Sequence, residues 1–182
     1  TKKSTENLAH SYAHLFDIPI TMFRFFTVYG PWGRPDMALF KFTKAILNGD
    51  PIDAYNHGDM SRDFTYIDDL VNGMRLLIDA TPEIFELTEA NKAVEDNKSN
   101  VAPFRIVNIG NSKPTQLLAF IKAIEDAIGT TAAINSLPMQ AGDIKDTWAD
   151  TTLLESLTGY EPTTDISTGV KKFIKWYRGY YN

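Results

Sequence analysis

The sequence predicts an α/β fold, and three observations support this prediction. Runs rich in β-branched and aromatic residues alternate with amphipathic segments of helical period along the chain. The first such run, residues 21–28, leads into a loop with two glycines and two prolines, and a helical segment follows. No internal repeat or low-complexity tract interrupts the alternation. Strands that alternate with helices pair in parallel, and such folds bind their ligands at loops that follow strands.

The predicted elements follow from periodicity and from residues that break it. Leu8, Tyr12 and Leu15 recur at helical spacing, so a helix is predicted over residues 4–16. The run 21–28 is β-branched and aromatic and predicts one continuous buried strand. The remaining predicted elements are, in order, a helix over 37–48, a strand over 52–55, a strand-like segment over 62–66, a helix over 68–79, a mobile loop over 81–103, a strand over 104–109, a helix over 114–128, a short strand over 132–136 and two helices near 151–157 and 166–180.

Composition and charge exclude several classes of function. The 182 residues are 43% hydrophobic and 23% charged, which is typical of one globular domain with a real core. The net charge is −5 and no dense run of lysine and arginine occurs, so we expect no nucleic-acid partner. The sequence has no cysteine, which excludes disulfides and fits a reducing compartment such as the cytoplasm. No apolar run is long enough to cross a bilayer, so no membrane partner is expected.

Several stretches in a fixed order carry a resemblance to a known family. The longest is RFFTVYGPWGRPDM at residues 24–37. The others are TKK at 1–3, RDFTYIDD at 62–69, VNIGN at 107–111, GD at 142–143 with AD at 149–150, and the ending WYRGYY at 176–181. In this order and spacing the sequence resembles the extended short-chain dehydrogenase/reductase family, and within it the UDP-glucuronate 4-epimerases. The resemblance covers essentially the whole chain.

The resemblance implies the C-terminal part of an extended Rossmann-type enzyme with its substrate-binding subdomain. Residues 1–36 would form the last part of the Rossmann core, and residues 37–182 mainly the UDP-sugar-binding subdomain with returning core elements. The family's glycine-rich loop, which holds the NAD pyrophosphate at a helix N-terminus, does not occur in this sequence. The family's catalytic tyrosine, four residues before Lys2, would precede Thr1, and no initiator Met is present. We therefore expect a fragment that lacks the NAD-binding half and is inactive alone.

The resemblance assigns Lys2 to catalysis and places four residues at the NAD cofactor. A lysine one helical turn after the tyrosine would lower the tyrosine's pKa, so that phenolate acts as base, and would bind the nicotinamide ribose. The cofactor-binding residues would be Lys2, Phe25, Phe26 and Val28. Without the family context, Lys2 is an ordinary solvated lysine and the strand residues fill a core. For the strand residues, both interpretations hold together.

Six further residues would bind the substrate, according to the same resemblance. They are Thr27, Arg34, Leu39, Tyr55, Arg62 and Asp143. The Arg34 guanidinium would hold the sugar carboxylate at two points, and that of Arg62 would clamp the UDP diphosphate, because a planar fork of donors suits both anions. Thr27 would contact the substrate at the strand end. The simpler alternative for both arginines is surface charge.

The nucleotide would lie against the remaining substrate-binding residues. Leu39 would contribute its backbone amide, Tyr55 would lie nearby, and Asp143 would lie near the uridine ribose. Many galactose-type epimerases carry a second phosphate-binding arginine where this sequence has Gln140. A second phosphate clamp is therefore not predicted at that position.

Two pairs of polar residues have simple structural interpretations. Asp68 and Asp69 stand at a predicted helix start, where carboxylates cap the helix and interact favourably with its dipole. His10 and His14 lie one helical turn apart, as in a zinc site, but no third ligand accompanies them. We predict no metal site and expect exposed or interface histidines.

The function implied by the resemblance is NAD-dependent 4-epimerisation of UDP-glucuronate and UDP-galacturonate through a 4-keto intermediate. The UDP-sugar is the implied small-molecule partner, polysaccharide precursor synthesis is the implied role, and the first helix would pair with its counterpart in a homodimer. Two alternatives remain open: a UDP-glucuronate decarboxylase or nucleotide-sugar dehydratase of the same family, and a non-catalytic nucleotide-binding module. The intact GRPD loop at residues 33–36 argues against the first.

Overall fold

A computed structural model describes residues 1–86 and 97–181 of the chain. The helices in these residues are α1 Lys2–Phe16, α2 Ala38–Asn48, α3 Ile67–Asp79, α4 Leu117–Ile128, α5 Thr152–Thr158 and α6 Ile166–Tyr181. The strands are β1 Ile20–Phe25, β2 Thr27–Tyr29, β3 Ile52–Ala54, β4 Ser61–Tyr66, β5 Phe104–Ile109, β6 Pro114–Gln116, β7 Ile134–Ser136 and β8 Asp146–Thr147. A 3₁₀ turn, Tyr55–Gly58, follows β3. The chain divides into two units, described separately below.

Unit 1 comprises Thr1–Phe25, Asn72–Ile109 and Thr151–Glu161. Its strands β1 and β5 pair in parallel over their full lengths, and α1 and α5 pack against them. Strand β5 is mostly buried, whereas β1 is only partly buried and ends at the exposed Phe25. The two helix histidines serve this packing: His10 Nε2 lies 2.8 Å from Ser99 Oγ, and His14 Nδ1 lies 2.7 Å from the Val101 carbonyl oxygen.

Unit 2 comprises Phe26–Val71, Gly110–Asp150 and Pro162–Asn182. Strand β4 is central: β2 pairs with its second half in parallel, and β6 (antiparallel) and β8 (parallel) pair with its first half. Strands β3 and β7 form a separate parallel pair. Helices α2, α4 and α6 cover the aromatic core, in which the Phe64 and Phe120 rings stack with centroids 4.1 Å apart.

Tyr29, at the end of β2, joins the sheet of unit 2 to α6. A Cβ atom at position 169 would lie 2.1 Å from Tyr29 Oη, so this close approach requires Gly169. Burial raises the pKa of the Tyr29 phenol well above its usual range, so the side chain stays protonated and acts in packing. The start of α6 is capped by Asp165, whose carboxylate accepts the backbone N–H of Thr168 at 3.0 Å.

The predicted α/β class and parallel pairing are confirmed, and most helices lie where periodicity placed them. Helix α1 ends at Asp17, which adopts a left-handed backbone conformation with φ 51°, and α2 ends at Gly49 in the same conformation. Strand β5 spans Phe104–Ile109, the same residues as the prediction.

Two of the predicted elements were wrong. The single strand over 21–28 is two strands separated at Phe26, because β1 pairs with β5 in unit 1 whereas β2 pairs with β4 in unit 2. The helix over 114–128 begins three residues later, because residues 114–116 form strand β6 along the edge of β4. The β4–β6 pair is antiparallel, whereas the pairs β1–β5, β2–β4, β3–β7 and β4–β8 are parallel as expected. In both cases the apolar pattern is local, while the pairing partner is distant in sequence.

The loop predicted over residues 81–103 lies partly outside the described residues. Residues 87–96 belong to that undescribed part. In the remainder, Lys98 forms an isolated antiparallel bridge with Arg105. The predicted mobility of this segment stays a prediction.

Candidate functional site

Unit 2 contains a cleft of about 310 Å³ whose walls come from several of its elements. Thr27 at the start of β2 and Arg62 near the start of β4 line the cleft. The 3₁₀ turn contributes Tyr55, and the loop before β8 contributes Asp143. These four were predicted substrate-binding residues, and the fold brings them together. Thr27 and Asp143 are far in sequence from Tyr55 and Arg62, so the convergence of the four is a product of the tertiary structure.

Three hydrogen bonds hold the Arg62 side chain in the cleft wall. Its Nη2 donates a hydrogen bond to Asp143 Oδ1 at 2.9 Å, and its Nη1 donates to the carbonyl oxygens of Ser61 and Lys145, both at 2.9 Å. The side chain is 25% exposed. These bonds fix the guanidinium plane while the group still faces the cavity, as an anion-binding arginine requires.

Asp63, the neighbour of Arg62 on β4, is completely buried. Its carboxylate accepts backbone N–H groups from Asn111 at 2.7 Å, Ser112 at 2.9 Å and Ala149 at 3.0 Å. A buried charge is costly unless it is hydrogen-bonded, and these three donors meet that requirement. Asp63 therefore attaches two loops to β4. Sequence analysis did not single out Asp63, although an acidic residue inside a β-rich run can indicate a buried, hydrogen-bonded carboxylate.

Gly110 makes the approach of these loops to Asp63 possible. A Cβ atom at position 110 would lie 2.4 Å from the Ala149 Cβ and 2.8 Å from Asp63 Oδ2. No larger residue fits without moving the loop. The glycine of the VNIGN stretch therefore has a packing reason for its place.

Helix α2 contributes a second group of lining residues that sequence analysis missed. Ala38, Lys41 and Phe42 stand at i, i+3 and i+4, on one face of the helix, and all three line the cleft. This spacing was the available signal. Lys41 adds a second cation to the lining, and the acidic residues Asp36 and Asp53 also line the cleft.

Leu39, a predicted substrate-binding residue, is not among the residues that line the cleft in the described part of the chain. The side chain is 4% exposed and belongs to the core of unit 2. Met37 is the N-cap of α2 and makes no side-chain cap hydrogen bond, and both Met37 and Ala38 line the cleft. The first N–H groups of a helix have no partner within the helix, so a ligand here would meet free donors.

Arg34 lies on the exposed loop after β2 and is not among the lining residues in the described part of the chain. Its guanidinium contacts the Asp36 carboxylate at two points, Nε to Oδ1 at 3.0 Å and Nη2 to Oδ2. The hydrogen bond from Arg34 holds the pKa of the Asp36 carboxyl below its usual range, and the pKa of Arg34 is raised in turn.

The predicted cofactor-binding residues are divided between the two units. Lys2 is exposed and begins α1, and Phe25 ends β1, both in unit 1. Phe26 and Val28 are half-buried residues of unit 2 and are not among the lining residues of its cleft in the described part of the chain.

The acidic pair and the histidine pair have structural contacts. Asp68 and Asp69 stand in the first turn of α3, and Asp69 Oδ2 accepts the backbone N–H of Thr164 at 2.9 Å.

Among residues 1–86 and 97–181, no group of three or more histidine and acidic side chains could hold a metal ion. None of the described helices is long and apolar enough to cross a membrane.

The cleft presents the cations of Arg62 and Lys41 together with the aromatic rings of Tyr55 and Phe42 in an α/β fold. This combination suits a phosphate-bearing small molecule that carries a ring system. The chain belongs to the NAD dependent epimerase/dehydratase family, whose sequence model matches residues 1–110.

Within this family, the chain is similar in sequence to UDP-glucuronate 4-epimerases. A probable UDP-glucuronate 4-epimerase of Rhizobium meliloti is 54% identical over 177 residues, covering 97% of this chain and 52% of that protein. UDP-glucuronate 4-epimerase 4 of Arabidopsis thaliana is 42% identical, covering 100% of this chain and 41% of that protein. The chain spans about half the length of the curated relatives it matches. The resemblance to UDP-glucuronate 4-epimerases is therefore confirmed.

Solved structures agree with this assignment of the fold. The UDP-glucuronic acid 4-epimerase from Bacillus cereus, determined with UDP-glucuronic acid and NAD, superposes with a TM-score of 0.80 at 33% identity. The match covers 99% of this chain and 52% of that one. The UDP-glucose 4-epimerase of Thermotoga maritima, at 23% identity and a TM-score of 0.77, shares the fold. The predicted extended Rossmann-type fold is confirmed.

The role of Asp63 leads to a prediction about stability. Asp63→Asn replaces one acceptor oxygen by an amide donor that faces backbone N–H groups, so buried donors lose their partner. We expect the free energy of unfolding to fall by about 2–4 kcal/mol, because each unsatisfied buried group costs about 1–3 kcal/mol. Urea unfolding measures the change. The control is Asp53→Asn on an exposed carboxylate, which should shift stability by less than about 0.5 kcal/mol. Equal losses in the two variants would contradict the assigned role.

Proposed function

We propose that this chain supplies the UDP-sugar-binding part of an NAD-dependent 4-epimerase that interconverts UDP-glucuronate and UDP-galacturonate. The observation that carries the proposal is the Arg62 guanidinium, fixed by Asp143 and two carbonyl oxygens in the wall of an aromatic cleft. The similarity to UDP-glucuronate 4-epimerases supports the substrate class and favours epimerisation over decarboxylation or dehydration.

The diphosphate of UDP would bind to Arg62 and Lys41. The fork of Arg62 would donate to phosphate oxygens at two points, and Lys41 of α2 would add a point charge. Lys41 is a candidate for the second phosphate-binding cation, since this sequence has Gln140 where many galactose-type epimerases carry arginine. The first N–H groups of α2, including the Leu39 amide, favour the same anion.

The nucleoside would extend from the diphosphate toward Tyr55 and Asp143. The Tyr55 ring offers an apolar face to a base, and the Asp143 carboxylate is an acceptor for ribose hydroxyl groups. Asp143 would thus have two tasks, because it also holds Arg62 in place. The UDP arm would stay anchored while the sugar moves.

The sugar would meet Thr27 at the start of β2 and Arg34 on the loop after this strand. Arg34 would hold the uronate carboxylate at two points. A 4-keto uronate is a β-keto acid that can lose carbon dioxide, and a carboxylate held in the plane of the ring system is disfavoured for that loss. Arg34 would therefore protect the intermediate as well as select the substrate.

The NAD-facing residues would complete the reaction site. The sequence has no glycine-rich loop, so the chain's own contribution to the cofactor would be Lys2 and the strand residues Phe25, Phe26 and Val28. When bound, NAD⁺ would supply the acceptor for a hydride from C4 of the sugar and the donor that returns this hydride to the opposite face of the sugar. Lys2 would lower the pKa of the family's tyrosine, so that its phenolate removes the C4 hydroxyl proton.

We propose the following domain organisation. Residues 1–36 would end the Rossmann core, and residues 37–182 would form mainly the substrate subdomain. Strand β5 and helix α5, which belong with β1 to unit 1, would be the returning core elements.

We also propose a cytoplasmic role in polysaccharide precursor synthesis, which the substrate class supports. Recovery of the protein in a membrane fraction would oppose the location, and normal polysaccharide in a deletion strain would oppose the role.

The phosphate-binding role of Arg62 can be tested on this chain, because the cleft lies within unit 2. Arg62→Ala should weaken UDP binding by about 10- to 100-fold, since hydrogen bonds to charged groups contribute about 1.5–3 kcal/mol. Binding of uridine should fall much less. Isothermal titration of both ligands measures the difference, with Lys44→Ala on the exposed side of α2 as the control. An equal loss for UDP and uridine would remove Arg62 from the diphosphate site.

The reaction itself is tested on the full reading frame that encodes this chain. With NAD⁺ and UDP-glucuronate, the main product should be UDP-galacturonate. Arg34→Ala should raise the KM for UDP-glucuronate and increase the fraction of UDP-pentose formed, because the carboxylate loses its support. Chromatography of the products measures both, and Arg75→Ala, at an exposed arginine of unit 1, is the control. UDP-pentose as the main product of the unaltered protein would overturn the proposal.

We also propose a homodimer through α1. Leu8, Tyr12, Leu15 and Phe16 of this helix are each more than half exposed and recur at helical spacing, so they form an apolar face. Leu15→Lys should shift the protein toward monomer in size-exclusion chromatography with light scattering. The matched control is Val71→Lys, at another exposed apolar residue. A monomer at all concentrations of the unaltered protein would exclude the dimer.

A further inference from the structure

The Arg34 guanidinium already holds a carboxylate, that of Asp36. The contact has two points, with Arg34 Nε 3.0 Å from Asp36 Oδ1 and Nη2 bonded to Oδ2. This is the geometry by which a guanidinium grips any carboxylate, including that of a sugar acid. Pro35 stands between the two residues, and its ring restricts the backbone that sets their spacing.

The ion pair is easily exchanged. The side chains of Arg34 and Asp36 are 76% and 58% exposed, so water can replace either partner. An exposed ion pair shifts an equilibrium by no more than about fivefold. A second carboxylate of the same geometry can therefore take the place of Asp36 with little net change in free energy.

Asp36 also belongs to the cleft, whereas Arg34 is not among the lining residues in the described part of the chain. If Arg34 turned to a bound carboxylate, Asp36 would remain in the cleft wall. The two residues therefore connect the exposed loop after β2 with the cleft through one exchangeable contact.

We propose that Asp36 competes with a ligand carboxylate for Arg34 and so moderates the preference for a uronate over a neutral sugar. The inference rests on the proposed function, in which Arg34 binds the uronate carboxylate. A uronate replaces one carboxylate by another and keeps Arg34 paired. A neutral sugar cannot make this exchange and gains nothing from Arg34. In the free protein the same contact keeps the guanidinium neutralised against other anions, such as inorganic phosphate.

The experiment compares the affinities of UDP-glucuronate and UDP-glucose, measured by isothermal titration on the full reading frame that encodes this chain. Asp36→Asn should tighten UDP-glucuronate relative to UDP-glucose by about two- to fivefold, the range that release of one exposed ion pair allows. The variant should also bind inorganic phosphate more tightly. Both residues are exposed, so the substitution does not threaten folding.

Two further variants separate the specific exchange from a general effect of charge. Asp53→Asn removes another carboxylate that lines the cleft and should change both UDP-sugars equally. In an Arg34→Gln background, Asp36→Asn should no longer alter the ratio of the two affinities. Tightening of both ligands to the same extent by Asp36→Asn, or an unchanged ratio, would overturn the inference.

The outcome for Arg34 distinguishes this inference from the proposed function. If Arg34→Gln weakens UDP-glucuronate relative to UDP-glucose while Asp36→Asn alters neither, the proposed carboxylate site stands and the role of Asp36 fails. If Arg34→Gln leaves the ratio unchanged, the carboxylate site fails, and the role of Asp36 fails with it.

Discussion

The buried carboxylate of Asp63 is the contact on which the candidate site depends. It accepts three backbone N–H groups, from Asn111, Ser112 and Ala149, and so attaches the segments that follow β5 and β8 to strand β4. Neither segment has regular structure of its own to set its position. Because a buried charge without partners is strongly unfavourable, the fold that satisfies this carboxylate excludes alternative arrangements of both loops.

The position of Arg62 follows from that of Asp63. Successive side chains of a strand point to opposite faces, so burying Asp63 directs Arg62 toward the cleft. The loop before β8 then supplies Asp143 and the Lys145 carbonyl oxygen to the guanidinium. Two adjacent residues of β4 thus organise both sides of the strand. An arginine held before the ligand arrives loses less side-chain entropy on binding.

Arg34 illustrates the opposite use of the same side chain. Arg62 is 25% exposed and bonded to backbone groups that cannot leave, whereas Arg34 is 76% exposed and bonded to a single neighbouring carboxylate. The first arrangement suits an anchor for a constant part of a ligand. The second suits a contact that must be exchanged for a variable part. The difference lies in burial and in the partner, because the guanidinium chemistry is identical.

Local patterns in the sequence were sufficient for the α/β class, for helices α1, α2 and α6 and for the bounds of β5, because periodicity and helix-ending residues act over short windows. The prediction that Thr27, Tyr55, Arg62 and Asp143 share a binding site came from the family resemblance and not from their spacing in the sequence. Only the tertiary structure decided the change of strand partner at Phe26, the anchoring role of Asp63 and the place of Lys41 in the cleft. The physical reason is distance along the chain: Arg62 and its partner Asp143 are 81 residues apart, and no local pattern encodes such a contact.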